Sequence, residues 1–132
     1  MILNVTAYLR KVLLADAAVS GAAAALMIVG AGILGPILAL PASLVFWAGI
    51  VLVPFVALLF AVARRETVSR MLMADIVIIN MVWVAASFGI MIAGLVEPNI
   101  LGVLFISAQA LAVALLAILQ YAGLRGASTV AA

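Results

Sequence analysis

The chain has 132 residues, of which 71% are hydrophobic and only 8% are charged. Soluble domains carry about 25% charged residues because their surface faces water, so this composition excludes a soluble globular domain. The net charge of +2 comes from six basic and four acidic residues, and the basic residues are too dispersed to form a nucleic-acid groove. Cysteine and histidine are absent, which excludes disulfides, thiolate chemistry and histidine ligands.

The first predicted element is a membrane span over residues 12–34. Arg10 and Lys11 mark the membrane surface before it, and residues 1–9 are predicted to lie at the interface as the beginning of the same helix. The apolar run is longer than that of a secretory signal, so we interpret it as an uncleaved span.

Small residues recur along this first span. Ala17, Gly21 and Ala25 are four residues apart and therefore share one helical face. Because a second helix can approach such a face closely, these residues are predicted to form a helix-packing surface.

The second predicted span covers residues 42–62. Gly35-Pro36 and Pro41 punctuate the uncharged connection before it. Trp47 is predicted to lie near the membrane interface, and Pro54, in the middle of the span, is expected to kink the helix.

Residues 63–75 form the most charged stretch of the chain, with three of the six basic residues and two of the four acidic ones. Residues 70–75 also echo residues 11–16, 59 positions earlier. The stretch is therefore predicted to be a water-exposed connection between two similar membrane hairpins, with Ser69 as the cap of the third helix.

The third and fourth spans are predicted over residues 71–96 and 100–121. A tight turn at residues 97–99 separates them, and residues 126–132 are expected to form a flexible tail. Each span is long enough to cross the roughly 30 Å hydrocarbon core of a bilayer.

The basic residues all fall on one side of this arrangement. They are Arg10, Lys11, Arg64, Arg65, Arg70 and Arg125. Because cytoplasmic loops are enriched in Lys and Arg, both termini are predicted to be cytoplasmic. The predicted fold is a single all-α domain over residues 1–132, a polytopic membrane protein with four transmembrane helices arranged as two parallel-repeat hairpins in an inner (plasma) membrane.

Asp16 and Asp75 are the first candidates for function, since acids inside spans are costly and often bind ions or protons. If the two hairpins are related by a pseudo-twofold axis, the two carboxyl groups could converge. A structural role is the alternative, in which helix N-termini favour the acids and Arg10, Lys11 or Arg70 pairs with them. The sequence leaves both open and favours the structural one.

Asn80 and Gln109 are predicted at comparable depth in the third and fourth spans. They are expected to hydrogen-bond to each other across the bundle, with Ser20 as a further partner, or to line a polar path. Trp83 shares the face of Asn80, and its N–H needs an acceptor.

Catalytic chemistry has little basis in this sequence. No nucleophile–base arrangement is present, and no residues are assigned as catalytic or as metal ligands. We expect no cofactor and no enzymatic activity.

A set of residues spread over nearly the whole chain resembles a group of small four-helix bacterial inner-membrane proteins of unknown function. These residues are Leu9-Arg10, Asp16, Ser20-Gly21, Leu40-Pro41, Asn80, Trp83, Ser87, Gly102, Gln109-Ala110, Gln120 and Gly123-Leu124-Arg125. The resemblance implies a bacterial inner-membrane protein and implies no activity.

Two classes of function remain. The favoured one is an accessory or structural subunit that contacts the bilayer and other membrane subunits, or a second copy of itself, through small-residue faces. The alternative is a small oligomeric transporter or channel that uses Asp16 and Asp75 with Asn80 and Gln109 along a polar path.

Overall fold

The computed structural model describes residues 1–127, which form four long helices and two short strands. In chain order these are β1 (Ile2–Asn4), α1 (Ala7–Leu38), α2 (Ala42–Ala63), β2 (Thr67–Ser69), α3 (Arg70–Ile92) and α4 (Ile100–Gly126). All four helices are long and apolar enough to cross a membrane. The predicted all-α, four-span membrane fold is confirmed.

The helices pack as two antiparallel hairpins, α1 with α2 and α3 with α4, and α1 joins them by packing on α4. Within the described residues, α2 and α3 make few direct contacts. The two cavities described below are both lined by side chains of α2 and α3 as well as by other helices.

A short β-ribbon closes one end of the bundle, which we call the ribbon end. β1 pairs antiparallel with β2, with Leu3 opposite Val68, and both side chains are buried. The prediction that residues 1–9 begin the first helix is therefore wrong for β1. As a strand, β1 forms backbone hydrogen bonds with residues 67–69 and buries Leu3 against Val68. As an extra turn of helix, residues 2–4 would leave the backbone groups of residues 67–69 without these partners.

Helix α1 is longer at both ends than predicted. Thr6 caps its first turn by accepting a hydrogen bond from the Leu9 amide at 3.1 Å. Gly35-Pro36 lies within its last turn rather than in the connection. The helix ends where Ala39 adopts a left-handed conformation, with φ 56°. The Leu40 amide then donates to the Gly35 carbonyl at 2.8 Å. This hydrogen bond pairs a carbonyl of the last turn that has no partner within the helix.

Helix α3 begins as predicted and ends earlier. Ser69 caps it by accepting from the Leu72 amide at 3.0 Å, which confirms the predicted cap. The helix stops at Ile92 because Gly94, with φ 72°, turns the chain out of the helical path.

Helix α4 runs to Gly126 rather than to residue 121. Asn99 caps its start by accepting from the Gly102 amide at 2.9 Å. Near its end, the Tyr8 hydroxyl donates to the Leu119 carbonyl at 2.9 Å. The predicted tail over residues 126–132 is therefore wrong at Gly126, which is helical, and residues 128–132 lie outside the described part of the chain.

The small-residue face of α1 is used inside the chain. Ala17 is buried in the core, and Gly21 lies against Val56 of α2. Ala25 is exposed, whereas its neighbour Ala24 is buried. Two of the three predicted packing residues thus pack within this chain, Ala17 in the buried core and the partly buried Gly21 against α2.

Candidate functional site

Four polar side chains meet in the core of the bundle. We call them the Asp16 cluster: Asp16 and Ser20 of α1, Asn80 of α3 and Gln120 of α4. The Ser20 hydroxyl donates to Asp16 Oδ1 at 2.8 Å, and Asp16 Oδ2 accepts from Asn80 Nδ2 at 2.8 Å and from Gln120 Nε2 at 2.6 Å. Asn80 Nδ2 also donates to Gln120 Oε1 at 2.8 Å. The cluster therefore ties three helices together.

The helix bounds explain why these residues meet. Asp16 and Ser20 are four residues apart and share one face of α1. Asp16 is nine residues from the start of α1, about 13 Å along the axis. Gln120 is six residues from the end of α4, about 9 Å from the same end of the bundle. Because the sequence predicted that α4 ends at residue 121, Gln120 was not among the candidate site residues.

The surroundings of Asp16 are polar and uncharged. Asp16 is fully buried, and all three of its hydrogen-bond partners are neutral donors. Neither Arg10 nor Lys11 is among these partners, and Arg10 instead donates to the carbonyls of Ala63 and Arg65. The predicted surface pairing of Asp16 is therefore wrong.

Asp75 does not join this cluster. It is exposed on α3, whereas Asp16 is buried. The two acids occupy matching places in the repeated sequence and do not converge in the structure.

A second hydrogen-bonded group lies farther from the ribbon end, and we call it the Gln109 cluster: Trp83 and Ser87 of α3 with Gln109 of α4. Trp83 Nε1 donates to Gln109 Oε1 at 2.7 Å. Gln109 Nε2 donates to Ser87 Oγ at 3.1 Å. The predicted hydrogen bond between Asn80 and Gln109 is wrong, because each of these amides has its own partners at a different depth.

A cavity of about 210 Å³ adjoins the Gln109 cluster, and we call it the outer cavity. All four helices line it. Its walls are Met27, Leu40, Leu44, Val45, Ala48, Trp83, Ala86, Ser87, Ile90, Phe105, Ile106 and Gln109. Apolar side chains cover most of the wall, and the Gln109 cluster supplies its polar part.

A smaller cavity of about 70 Å³, the inner cavity, adjoins the Asp16 cluster. Ser20 and Asn80 line it together with side chains of α2, α3 and α4, and Trp83 lines both cavities. The Trp83 ring thus lies between the outer cavity and the space next to the Asp16 cluster. Each of the two polar clusters therefore borders a cavity inside the bundle.

Comparisons of the chain with protein-family models, with curated proteins and with solved structures found no match.

Proposed function

We propose that this membrane protein is a small, non-catalytic transporter or channel subunit in which Asp16 binds and releases a proton. The observation that carries the proposal is a fully buried carboxyl group held by three neutral donors from three helices. Ionisable groups inside membrane helices are costly and characteristically mark ion and proton pathways. A proton bound at Asp16 would neutralise a carboxylate that is buried away from water, where an unpaired charge is costly.

The position of the cavities supports a pathway. The inner cavity touches the Asp16 cluster through Ser20 and Asn80, and Trp83 separates it from the outer cavity. The same geometry weakens the accessory-subunit interpretation favoured by the sequence, because Ala17 and Gly21 pack within the chain.

We also propose a bacterial inner membrane as its location, with both termini in the cytoplasm. The six basic residues all lie toward the ribbon end of the helices, and cytoplasmic ends of membrane helices carry the excess of Lys and Arg. The resemblance to small bacterial inner-membrane proteins favours the same location.

The test compares Asp16→Asn with Asp75→Asn in proteoliposomes. A potassium diffusion potential drives protons, and a dye inside the vesicles reports pH. Wild type and Asp75→Asn are expected to conduct protons, while Asp16→Asn falls to the level of empty liposomes because an amide cannot take up a proton. Far-UV circular dichroism and gel filtration verify that each variant is folded.

A second measurement covers the case in which Asp16→Asn does not fold. Infrared difference spectra of folded protein at acid and alkaline pH are expected to show a buried carboxyl band in both wild type and Asp75→Asn. If wild type shows neither this band nor proton flux above empty liposomes, Asp16 is a structural residue and the proposal is wrong.

Assembly through the outer face of α3 is a second candidate function. In its most apolar stretch only 17% of the α3 residues are buried, against 33% to 39% in the other helices. Asp75 lies on this exposed surface, where a partner subunit or a second copy would relieve its contact with lipid. This role predicts that Asp75→Asn, and not Asp16→Asn, loses partners that co-purify from native membranes in mild detergent.

A further inference from the structure

The outer cavity has the size of a small-molecule site. At about 210 Å³ it is larger than the roughly 150 Å³ apolar cavity that accommodates benzene in an engineered protein. Its walls are mainly Leu, Ile, Val, Met, Phe and Ala side chains. The dimensions and the walls fit one aromatic ring or a comparable branched hydrocarbon.

The polar wall of this cavity has its hydrogen-bond donors already in use. Trp83 Nε1 donates to Gln109 Oε1, and the Ser87 hydroxyl donates to the Trp83 carbonyl at 2.7 Å. The two N–H groups of Gln109 Nε2 donate to Ser87 Oγ and to the Ile106 carbonyl. None of these side-chain donors is left over for a ligand.

Acceptor capacity does remain on the same wall. An amide oxygen and a hydroxyl oxygen each have two lone pairs. Among residues 1–127, Gln109 Oε1 accepts from Trp83 alone, and Ser87 Oγ accepts from Gln109 alone. The wall therefore offers acceptors and selects a ligand that donates a hydrogen bond.

The cavity opens on the side of the bundle between α2 and α3. Leu44 of α2 and Ala86 of α3 line it and are also exposed at the surface. Leu44 is the third residue of α2, and Ala86 lies six residues before the end of α3. The opening therefore lies toward the end of the bundle opposite the ribbon end, and we expect a ligand to enter there.

From these observations we infer that the outer cavity binds a compact, uncharged, mainly apolar molecule with one hydroxyl donor, of the size of a simple phenol. This inference rests on the proposed function only in that such a molecule would be the transported substrate. Binding itself requires neither flux nor a change in Asp16.

The test uses two isomers, p-cresol and anisole, which have the same atoms but differ in the hydroxyl donor. Binding to the protein in nanodiscs is followed by the fluorescence of Trp83 in a Trp47→Phe background, with empty nanodiscs correcting for partition into lipid. We expect saturable binding of p-cresol and binding about tenfold weaker for anisole, the ratio that one hydrogen bond supports.

Two variants of α2 test the location. Ala48 lines the cavity, so Ala48→Leu takes up part of its volume and is expected to weaken p-cresol binding. Ala57 is exposed and lies outside the lining, so Ala57→Leu is expected to leave binding unchanged. On α3, Ser87→Ala removes one acceptor and frees the Gln109 N–H that donates to it, so the substitution is expected to narrow the difference in affinity between p-cresol and anisole.

Equal binding of the two isomers, or p-cresol binding that Ala48→Leu leaves unchanged, would overturn the inference. Failure of the proposed function is distinguishable from this outcome. If p-cresol binds as expected and Asp16→Asn does not alter proton flux, the cavity inference stands and the proton role of Asp16 fails. If flux depends on Asp16 and p-cresol does not bind, only the cavity inference fails.

Discussion

At the scale of single residues, Asp16 shows how an acidic side chain is held within apolar helices. Each of its carboxyl oxygens accepts at least one hydrogen bond, and the donors come from α1, α3 and α4. Hydrogen bonds to charged groups are worth more than those between neutral groups, and removing one partner leaves a buried group unsatisfied. The proposed proton site and the contacts between α1, α3 and α4 therefore depend on the same four side chains.

The first residue-scale prediction concerns Gln120→Leu. The substitution removes the donor at 2.6 Å from Asp16 Oδ2 and is expected to lower the free energy of unfolding by about 1–3 kcal/mol. Reversible unfolding in mixed micelles, followed by far-UV circular dichroism, measures it.

A double-mutant cycle provides the control. Because Asp16 and Gln120 contact directly, Gln120→Leu in the Asp16→Asn background is expected to cost less than it does alone, with a coupling of about 0.5–3 kcal/mol. Additive effects of the two substitutions would show that the hydrogen bond does not contribute as the structure indicates.

The sequence predicted part of this residue-scale picture. Asp16, Ser20 and Asn80 stand out because polar residues are rare in these spans, and each is in the buried cluster. Gln120 was missed because its importance depends on where α4 ends. The wrong Asn80–Gln109 pair came from estimates of depth, which do not fix how each helix is rotated about its axis.

At the scale of elements, caps and close approaches fix the helix bounds. Ser69 and Asn99 cap α3 and α4 with their side chains, which local sequence can predict. The extension of α1 through Gly35-Pro36 is accompanied by long-range contacts, because Asn99 donates hydrogen bonds to the carbonyls of Ile37 and Leu38. Local sequence does not contain this information.

The element-scale prediction concerns Gly102→Ala. A Cβ at Gly102 would overlap the Leu38 carbonyl and lie 2.6 Å from Pro98 Cβ, and neither atom belongs to a flexible side chain. The substitution is expected to separate α4 from the end of α1 and to destabilise the protein by about 1–3 kcal/mol.

Gly89→Ala is the matched control for that prediction. A Cβ at Gly89 meets nothing within 4 Å, so replacing this helical glycine is expected to stabilise α3 by about 0.5–1 kcal/mol. Both variants are compared in the same unfolding assay. If Gly102→Ala stabilised the protein as Gly89→Ala is expected to, the close contact between α1 and α4 at Gly102 would be contradicted.

At the scale of the whole molecule, the hairpin arrangement leads to a prediction about orientation. Glu66 lies at the ribbon end and Glu97 at the opposite end, and both are exposed. The chain has no cysteine, so Glu66→Cys and Glu97→Cys each introduce a single thiol. With cytoplasmic termini, an impermeant maleimide is expected to label Glu97→Cys in intact cells and Glu66→Cys only after permeabilisation. The reverse pattern would invert the proposed topology.

The number and length of the helices follow from composition, because apolar runs of this length have few alternatives. The β-ribbon, the two cavities and the weak contact between α2 and α3 do not follow. They depend on side-chain packing between residues far apart in sequence, and the repeated segment was misleading because Asp16 is buried and Asp75 exposed.

The β-ribbon has a consequence for the order of events during biosynthesis. Asn4 pairs with Thr67, a separation of 67 − 4 = 63 residues. A ribosome adds about 5–20 residues per second, so β1 waits roughly 3–13 s for its partner to be made. The first hairpin is therefore complete as a chain before the ribbon forms, and the newly made amino-terminal segment stays available to insertion factors and proteases until the third helix begins to emerge.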